Sequence, residues 1–270
     1  MAPEVADRLA AVVAPGQRFS RGDQLPALWH WAYFPELAPL AELGRDGHPR
    51  RHDELAERFP RRMAGGGKLR QIAGLVIGEP AQRHSELIDT RERRGRKGEM
   101  VICDWRHTYS QGGAIALEEV QSIIYRRAGD RVDEGPASAR HDPSRAELST
   151  TDEEWQLVRR VEFSPVMLFR FSAATWNSHR IHYDRPFAIE EGYPGLLVHG
   201  LAILLASEAE RVLGVDLSLE FRSVAPTFDT DTVGIYLQTA DPTGVRVEAR
   251  RSDGTTVTSL SASRSAGSWR

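Results

Sequence analysis

LAILLASEAERVLG, residues 201–214, is the stretch on which the fold turns. Its first turns are apolar on nearly every side, whereas a helix at a protein surface carries one apolar stripe, so a helix here needs cover all round. Arg211 in the last turn and Gly214 just beyond supply a stop. The cover is found downstream. TVGIYLQTADP (232–242), GVRVEARRSDG (244–254) and TTVTSLSASRS (255–265) are rich in strand formers and separated by PTG and DG turns, which reads as an antiparallel meander. A buried helix cradled in a curved antiparallel sheet, an α+β arrangement, follows.

The same meander occurs earlier. AQRHSELIDTRERR (81–94), GEMVICDWRHTYSQ (98–111) and AIALEEVQSIIYRRA (114–128) read as three strands joined by GRKG and QGG turns. Ahead of each meander stand LRQIAGLVIGEP (69–80) and LEFRSVAPTFDTDT (219–232), which share Arg, any residue, Ile or Val, Ala. This pattern points to a duplication. The first half has a weaker helix: AGGGK (64–68) stands where it is expected and cannot make a long one, and the aromatic LPALWHWAYF (25–34) reads as a helix or a packing arm.

Between the meanders, the polar, Pro-, Gly- and Ser-containing run from Gly129 to Gln156 has no apolar period and marks a linker. The expected organisation is a first unit over 1–135, a linker over 136–155 and a second unit over 156–270. A length of 270 residues suits two units.

Composition removes several functions. No apolar run approaches the roughly 20 residues that span a bilayer, and Glu4 and Asp7 stand where a secretory signal carries positive charge, so the expectation is a cytoplasmic protein with no membrane association. A net charge of −3 gives no global drive towards nucleic acid. Cys103 is the single cysteine, so no intrachain disulfide and no cysteine-rich metal cluster can form. Lys68 and Lys97 are the only lysines; amine nucleophiles are scarce while arginines for anion recognition are many.

The chemistry concentrates in NSHRIHYDRP (177–186) and GYPGLLVHG (192–200). Asn177 and His182 would lie about 140° apart on a regular helix, so their joint action needs an irregular loop, which this polar, proline-ended stretch favours. His182 has the side chain suited to moving protons near neutral pH, and Asn177 could fix a water or a carbonyl. GYPGLLVHG ends where the buried helix begins; its first N–H groups are unpaired, and Gly200 lets a ligand approach the backbone. An N–H there would stabilise the enolate formed when a nucleophile adds to a conjugated thioester.

FSAATWNSHRIHYD (171–184) followed by YPGLLVHG (193–200) resembles the MaoC-like, or hydratase type 2, branch of hot-dog-fold enoyl-thioester hydratases and dehydratases. The family His falls on His182, the helix-start Gly on Gly200 and the His before it on His199. Asn177 stands where that pattern has its catalytic Asp, and His179 and Arg180 where it has Asn-Pro. An amide cannot accept a proton as a carboxylate does, so His182 becomes the principal acid/base, with Asn177 holding water. Asp184 either orients His182 or pairs with Arg180 or Arg185. His179 is either a direct participant or a brace for the loop, and His199 is a brace for the helix start.

GDQLPALWHWAYF, RRMAGGGKL, HTYSQGG and TWNSHRIHYDRP together resemble the two-domain type 2 hydroxyacyl-thioester dehydratases, a group that includes mesaconyl-C4-CoA and itaconyl-CoA hydratases. The resemblance implies a double hot-dog fold whose first unit is degenerate and shapes the acyl pocket while the second carries catalysis. It implies a hydro-lyase acting on an acyl-CoA ester, with no cofactor beyond that CoA and with a homodimer possible. Arg61, Arg62, Arg70 and Arg222 become candidates for CoA phosphates or a second carboxylate. Alternatives are a dehydratase of fatty-acid synthesis, a thioesterase on the same fold, and a non-catalytic thioester-binding protein. The H-x-x-H spacing of His179 and His182 lacks the further ligands of common zinc signatures, so no metal is expected.

Overall fold

The structure is a computed structural model that describes residues 1–51, 54–95, 98–127, 151–152, 155–241 and 243–264. Helix α1 (Pro3–Val13) is followed by short 3-10 turns at Trp29–Ala32 and Leu40–Glu42 and by α2 (Glu54–Arg58). Strands β1 (Arg61–Gln71), β2 (Ala81–Gly95), β3 (Gly98–Gln111) and β4 (Ala114–Arg126) complete the first half. The second half runs β5 (Thr151–Asp152), β6 (Trp155–Glu162), α3 (Pro165–Thr175), a 3-10 turn Arg180–His182, α4 (Arg185–Glu190) and α5 (Leu201–Leu213). It closes with β7 (Leu217–Ser223), β8 (Thr232–Asp241), β9 (Gly244–Arg251) and β10 (Thr256–Arg264).

All ten strands join one antiparallel sheet in the order β2-β3-β4-β1-β7-β10-β9-β8-β6-β5. Helix α5 starts at Gly200 in the left-handed region and ends against Gly214; every residue from Leu201 to Ala206 is buried, and the helix packs on β7 to β10. An all-round apolar helix inside a curved sheet is the hot-dog unit; the second half is such a unit, and a first half of the same strand order with its helix reduced to a short turn shares the sheet, a double hot-dog fold.

The register reveals the internal symmetry. Lys68 of β1 faces Glu220 of β7, and each stands two residues before the Arg of its repeated motif, Arg70 and Arg222; Arg70 faces Ser218 and Gly66 faces Arg222. The ladder therefore maps onto itself by a twofold rotation through the Lys68–Glu220 pair. Hydrogen bonds repeat with it. Ile72 and Ala73 both donate to Ala116 O, as Val224 and Ala225 both donate to Val257 O. Leu25 N donates to Leu75 O as Val198 N does to Thr227 O, and Ile77 N to Asp23 O as Asp229 N to Leu196 O.

Asp23–Leu25 thus corresponds to Leu196–Val198, and the turn Trp29–Ala32 occupies the place of α5. AGGGK is not the site of a first-half helix: it lies within β1, where a Cβ on Gly66 would stand 2.4 Å from Phe221 O across the seam. Aromatic bulk replaces the missing helix. Trp29 is buried against Phe19, and Trp31 packs edge-on against Phe221. Beneath them Glu119, fully buried on β4, accepts from His30 Nε2, Trp31 Nε1, Tyr109 Oη and Gln121 Nε2. Burial pushes its carboxyl up, but His30 and these donors outweigh that and hold it down at about 2. Trp29 and Trp31 serve packing.

The expected linker 136–155 lies outside the described residues except at its end, where 151–152 form β5 and Trp155 opens β6. Cys103 is buried. Among the described residues no helix is long and apolar enough to cross a membrane.

Candidate active site

The site begins where α3 is made to stop. Ser164 caps its start by accepting from Met167 N; at its end Trp176 takes a left-handed conformation and Asn177 N donates to Ser172 O. The chain then turns sharply: Asn177 Oδ1 accepts from His179 N, leaving its amide N–H2 outside the loop's own bonds. The tight turn Arg180–His182 follows, and Asp184 caps α4 by accepting from Phe187 N.

His182 is 6 % exposed, and its Nδ1 lies 2.8 Å from Leu197 O. A carbonyl only accepts, so Nδ1 carries the proton and Nε2 keeps a lone pair. Nε2 has no partner among the described residues and is not sealed from solvent. Leu197 N in turn donates to Ile181 O, which locks the two segments together. Burial pushes the His182 imidazole down to about 4, with the nearby His48 adding to the shift against the pull of the Leu197 carbonyl. The ring is therefore neutral at physiological pH.

His199 stacks flat on His182 with centroids 3.9 Å apart and planes 9° apart, and its Nε2 pairs with Ser172 Oγ at 3.0 Å. Its own ionisation is pushed well down by burial and by His182. The next residue, Gly200, has φ +80° and would place a Cβ 2.5 Å from the Phe171 ring, so no other residue fits. The Gly200 N–H has no hydrogen-bond partner among the described residues. A neutral imidazole lone pair and a free helix-start N–H thus stand at adjoining ends of one stack: a proton acceptor beside a site for an oxyanion.

Not every expected residue joins them. Asp184 does not meet His182; its Oδ2 accepts from Arg180 Nε at 3.0 Å and Nη2 at 2.6 Å, the second of the two pairings its position allowed. His179 sits in the loop, ring centroid 5.4 Å from that of His182, and burial followed by His48 drives its ionisation far down. Arg61 is occupied by Glu191, and Arg70 by Glu118 across the β1–β4 ladder. Arg222 alternates with the buried Phe221, which sends it to the outer face of the sheet. There, with Glu220, Arg246 and Glu248, it lines a shallow groove of about 290 Å³ remote from His182. Arg62 alone of the four acts electrostatically on His179 and has no ion pair or hydrogen bond among the described residues.

Two residues of the first half complete the constellation, and the sequence reading passed over them. GRDGHP (44–49) folds onto the 177–182 loop: Arg180 N donates to Asp46 O, and Ser178 Oγ to Gly47 O. Asp46 and His48 thereby reach the site, His48 packing its ring 4.2 Å from His179. The one available signal was an Asp and a His one residue apart in a Gly- and Pro-bounded turn. Asp46, His48 and His179 bring donor atoms within 4.8 Å of one another, and within that group Asp46 Oδ2 and His48 Nδ1 hydrogen-bond at 3.0 Å.

The sequence pattern of type 2 hydroxyacyl-thioester dehydratases matches residues 28–229. The chain belongs to the type 2 hydroxyacyl-thioester dehydratase family. It is 39 % identical over 258 residues, 93 % of this chain and 88 % of the other, to a mesaconyl-C(4)-CoA hydratase of Chloroflexus aurantiacus. Among solved structures it is similar to HtdX of Mycobacterium tuberculosis, with a TM-score of 0.70 and 18 % identity covering 98 % of this chain and 97 % of that one. A second protein of that organism, described as a double hotdog fold, aligns with a TM-score of 0.53 and 15 % identity over 98 % of this chain and 92 % of that one. As a member of the type 2 dehydratase family the chain is an enzyme of the hydro-lyase kind, and the stacked histidines at the start of α5 lie within the matched residues.

Proposed function

We propose that this enzyme adds water reversibly across the double bond of a short, branched, dicarboxylic enoyl-CoA of the mesaconyl-C4-CoA type, with no cofactor beyond the CoA of its substrate. The observation that carries the chemistry is the neutral, buried His182, fixed through Nδ1 with Nε2 open, one residue stack away from the free Gly200 N–H. The relative that is 39 % identical over nearly the whole chain supports the acyl group.

In hydration, His182 Nε2 takes a proton from water as its oxygen bonds to the β-carbon. The double-bond electrons move towards the thioester, whose oxygen becomes anionic and accepts from Gly200 N–H, and protonation of the α-carbon completes addition. The Asn177 amide N–H2, left open by the loop, holds the attacking water. An N–H aimed at an oxygen that becomes charged only during reaction stabilises the transition state more than the ground state. Arg62, without an ion pair or hydrogen bond among the described residues, receives the free carboxylate of the acyl group.

The test is loss of enoyl-thioester absorbance with crotonyl-CoA, a longer enoyl-CoA, mesaconyl-C4-CoA and itaconyl-CoA. Turnover of the dicarboxylic esters in preference to the plain chains is expected; the reverse order would reject the acyl assignment. Arg62→Gln should raise KM for the dicarboxylic ester by about 10-fold or more, the loss of one charged hydrogen-bonded contact, while leaving crotonyl-CoA turnover unaltered.

A further inference from the structure

Hydration needs two proton positions: one that accepts from water and one that gives to the α-carbon. The second-half loop supplies only the first. His179, His182 and His199 are all held neutral by burial, Asp184 is committed to Arg180 and to the cap of α4, and Tyr183 donates to Ser178 O. Asn177, standing where the family pattern has a carboxylate, offers an amide that neither accepts nor delivers a proton at neutral pH.

The missing group comes from the first half. Asp46 grips His48 twice, Oδ1 accepting from the backbone N–H at 3.1 Å and Oδ2 from ring Nδ1 at 3.0 Å, which fixes the direction of the ring. His48 Nε2 is left without a partner among the described residues, and the side chain keeps 22 % of its surface exposed. Of the four imidazoles gathered here, His48 is the one bonded to a carboxylate.

The turn is anchored to the catalytic loop and not merely near it. Asp46 O, Gly47 O and Arg45 O accept from Arg180 N, Ser178 Oγ and Arg180 Nη1. A side chain on Gly47 would put its Cβ 1.9 Å from Ser178 O, so the close fit depends on glycine there. The rings then run in contact from His48 to His179 (4.2 Å) and from His179 to His182 (5.4 Å). Two open imidazole nitrogens, on His48 and on His182, therefore belong to one site.

We propose that His48, held by Asp46, is the second proton-transfer residue of this enzyme and takes over the task of the carboxylate absent at Asn177. The assignment rests on the hydration reading above. As water bonds to the β-carbon its proton passes to His182 Nε2; His48, which enters the cycle carrying a proton on each ring nitrogen with Nδ1–H on Asp46, then gives its Nε2 proton to the enolate, forming the α C–H bond. The resting state returns when His182 releases its proton to solvent and His48 recovers one. In dehydration each step reverses. Asp46 holds the ring through Nδ1 and leaves Nε2 facing away from it, so Asp46 is the positioning residue for this transfer.

The experiment compares wild type, His48→Gln, Asp46→Asn and a double variant that joins His48→Gln to Asn177→Asp, measuring kcat, KM and the pH profile of mesaconyl-C4-CoA hydration, with melting temperature as a check on folding. His48→Gln is expected to lower kcat by about 100-fold or more with little change in KM, the usual scale for a proton-transfer group. Asp46→Asn, which loosens the ring that the carboxylate holds, should lower kcat by a smaller factor, again with little change in KM. The double variant should recover part of the lost kcat, since Asn177→Asp restores the carboxylate of the family pattern.

His48→Gln within threefold of wild-type kcat, a kcat unaltered in Asp46→Asn, or wild-type activity abolished by a chelator and restored by a divalent metal would each overturn the assignment. Wild type inert towards every enoyl-CoA would overturn the hydration reading itself, and the assignment with it.

Discussion

At the scale of single residues, the acid/base role proposed for His182 sets what its removal and its titration should do. His182→Ala should lower kcat by about 100- to 10,000-fold with an unchanged circular dichroism spectrum. Its ionisation, held at about 4 against an ordinary 6.5, means that between those values the unfolded chain binds a proton that the native site does not. The stability it contributes is thus complete above 6.5 and is lost as pH falls towards 4. Activity follows the folded value: the acidic limb of kcat/KM should lie near pH 4 and not near 6.5, and a limb at 6.5 would mean a water-exposed His182. Gly200→Ala should cost about 1–2 kcal/mol for its left-handed backbone alone, besides displacing Phe171, and should lower both melting temperature and kcat. His182 and Gly200 were legible because they lie in one local stretch; Asp46 and His48 were not, since only tertiary folding brings residues 46 and 48 against 177–182.

Among elements, the strands were read to within a residue or two wherever alternation and turn signals agreed: 81–94 against β2, 98–111 against β3, 114–128 against β4. The glycine run of β1 misled for a physical reason. Glycine is poor in a strand judged alone, and here it is needed because the backbones of two halves meet. Aromatic packing also concealed how the first half compensates for its short turn. The tie between that arm and the central helix is Glu210 of α5, which accepts from Ala27 N at 2.7 Å; burial raises its carboxyl to about 7. A raised carboxyl costs stability as pH climbs from 4.5 through 7, because the native state must then hold a buried charge. Glu210→Gln keeps an acceptor without the charge and should raise the melting temperature at about pH 8 more than at about pH 5. Glu119 shifts oppositely, from 4.5 down to about 2, so its contribution is present above 4.5 and fades on acidification. Glu119→Leu, which strands the donors around it, should destabilise by about 3 kcal/mol, measurable by urea unfolding at neutral pH.

For the whole molecule, the β1–β7 ladder makes one sheet of two repeats, and the groups proposed for catalysis are drawn from both sides of it: the 45–48 turn from the first, the 177–200 segment from the second. Unfolding in urea should therefore show one transition, with the fluorescence of the six tryptophans, which stand in both halves, coinciding with far-ultraviolet circular dichroism. Separate midpoints would mean that the seam is weak. The approximate duplication could be read from the paired motifs, but the symmetry that makes the Lys68–Glu220 pair its centre required the register. That shared sheet also settles a matter of supply. Two halves translated separately would have to find each other, and their output would fall steeply on dilution or when one was made in excess. Joined in a single polypeptide, the two halves are always made one to one, and neither can be left in excess of the other.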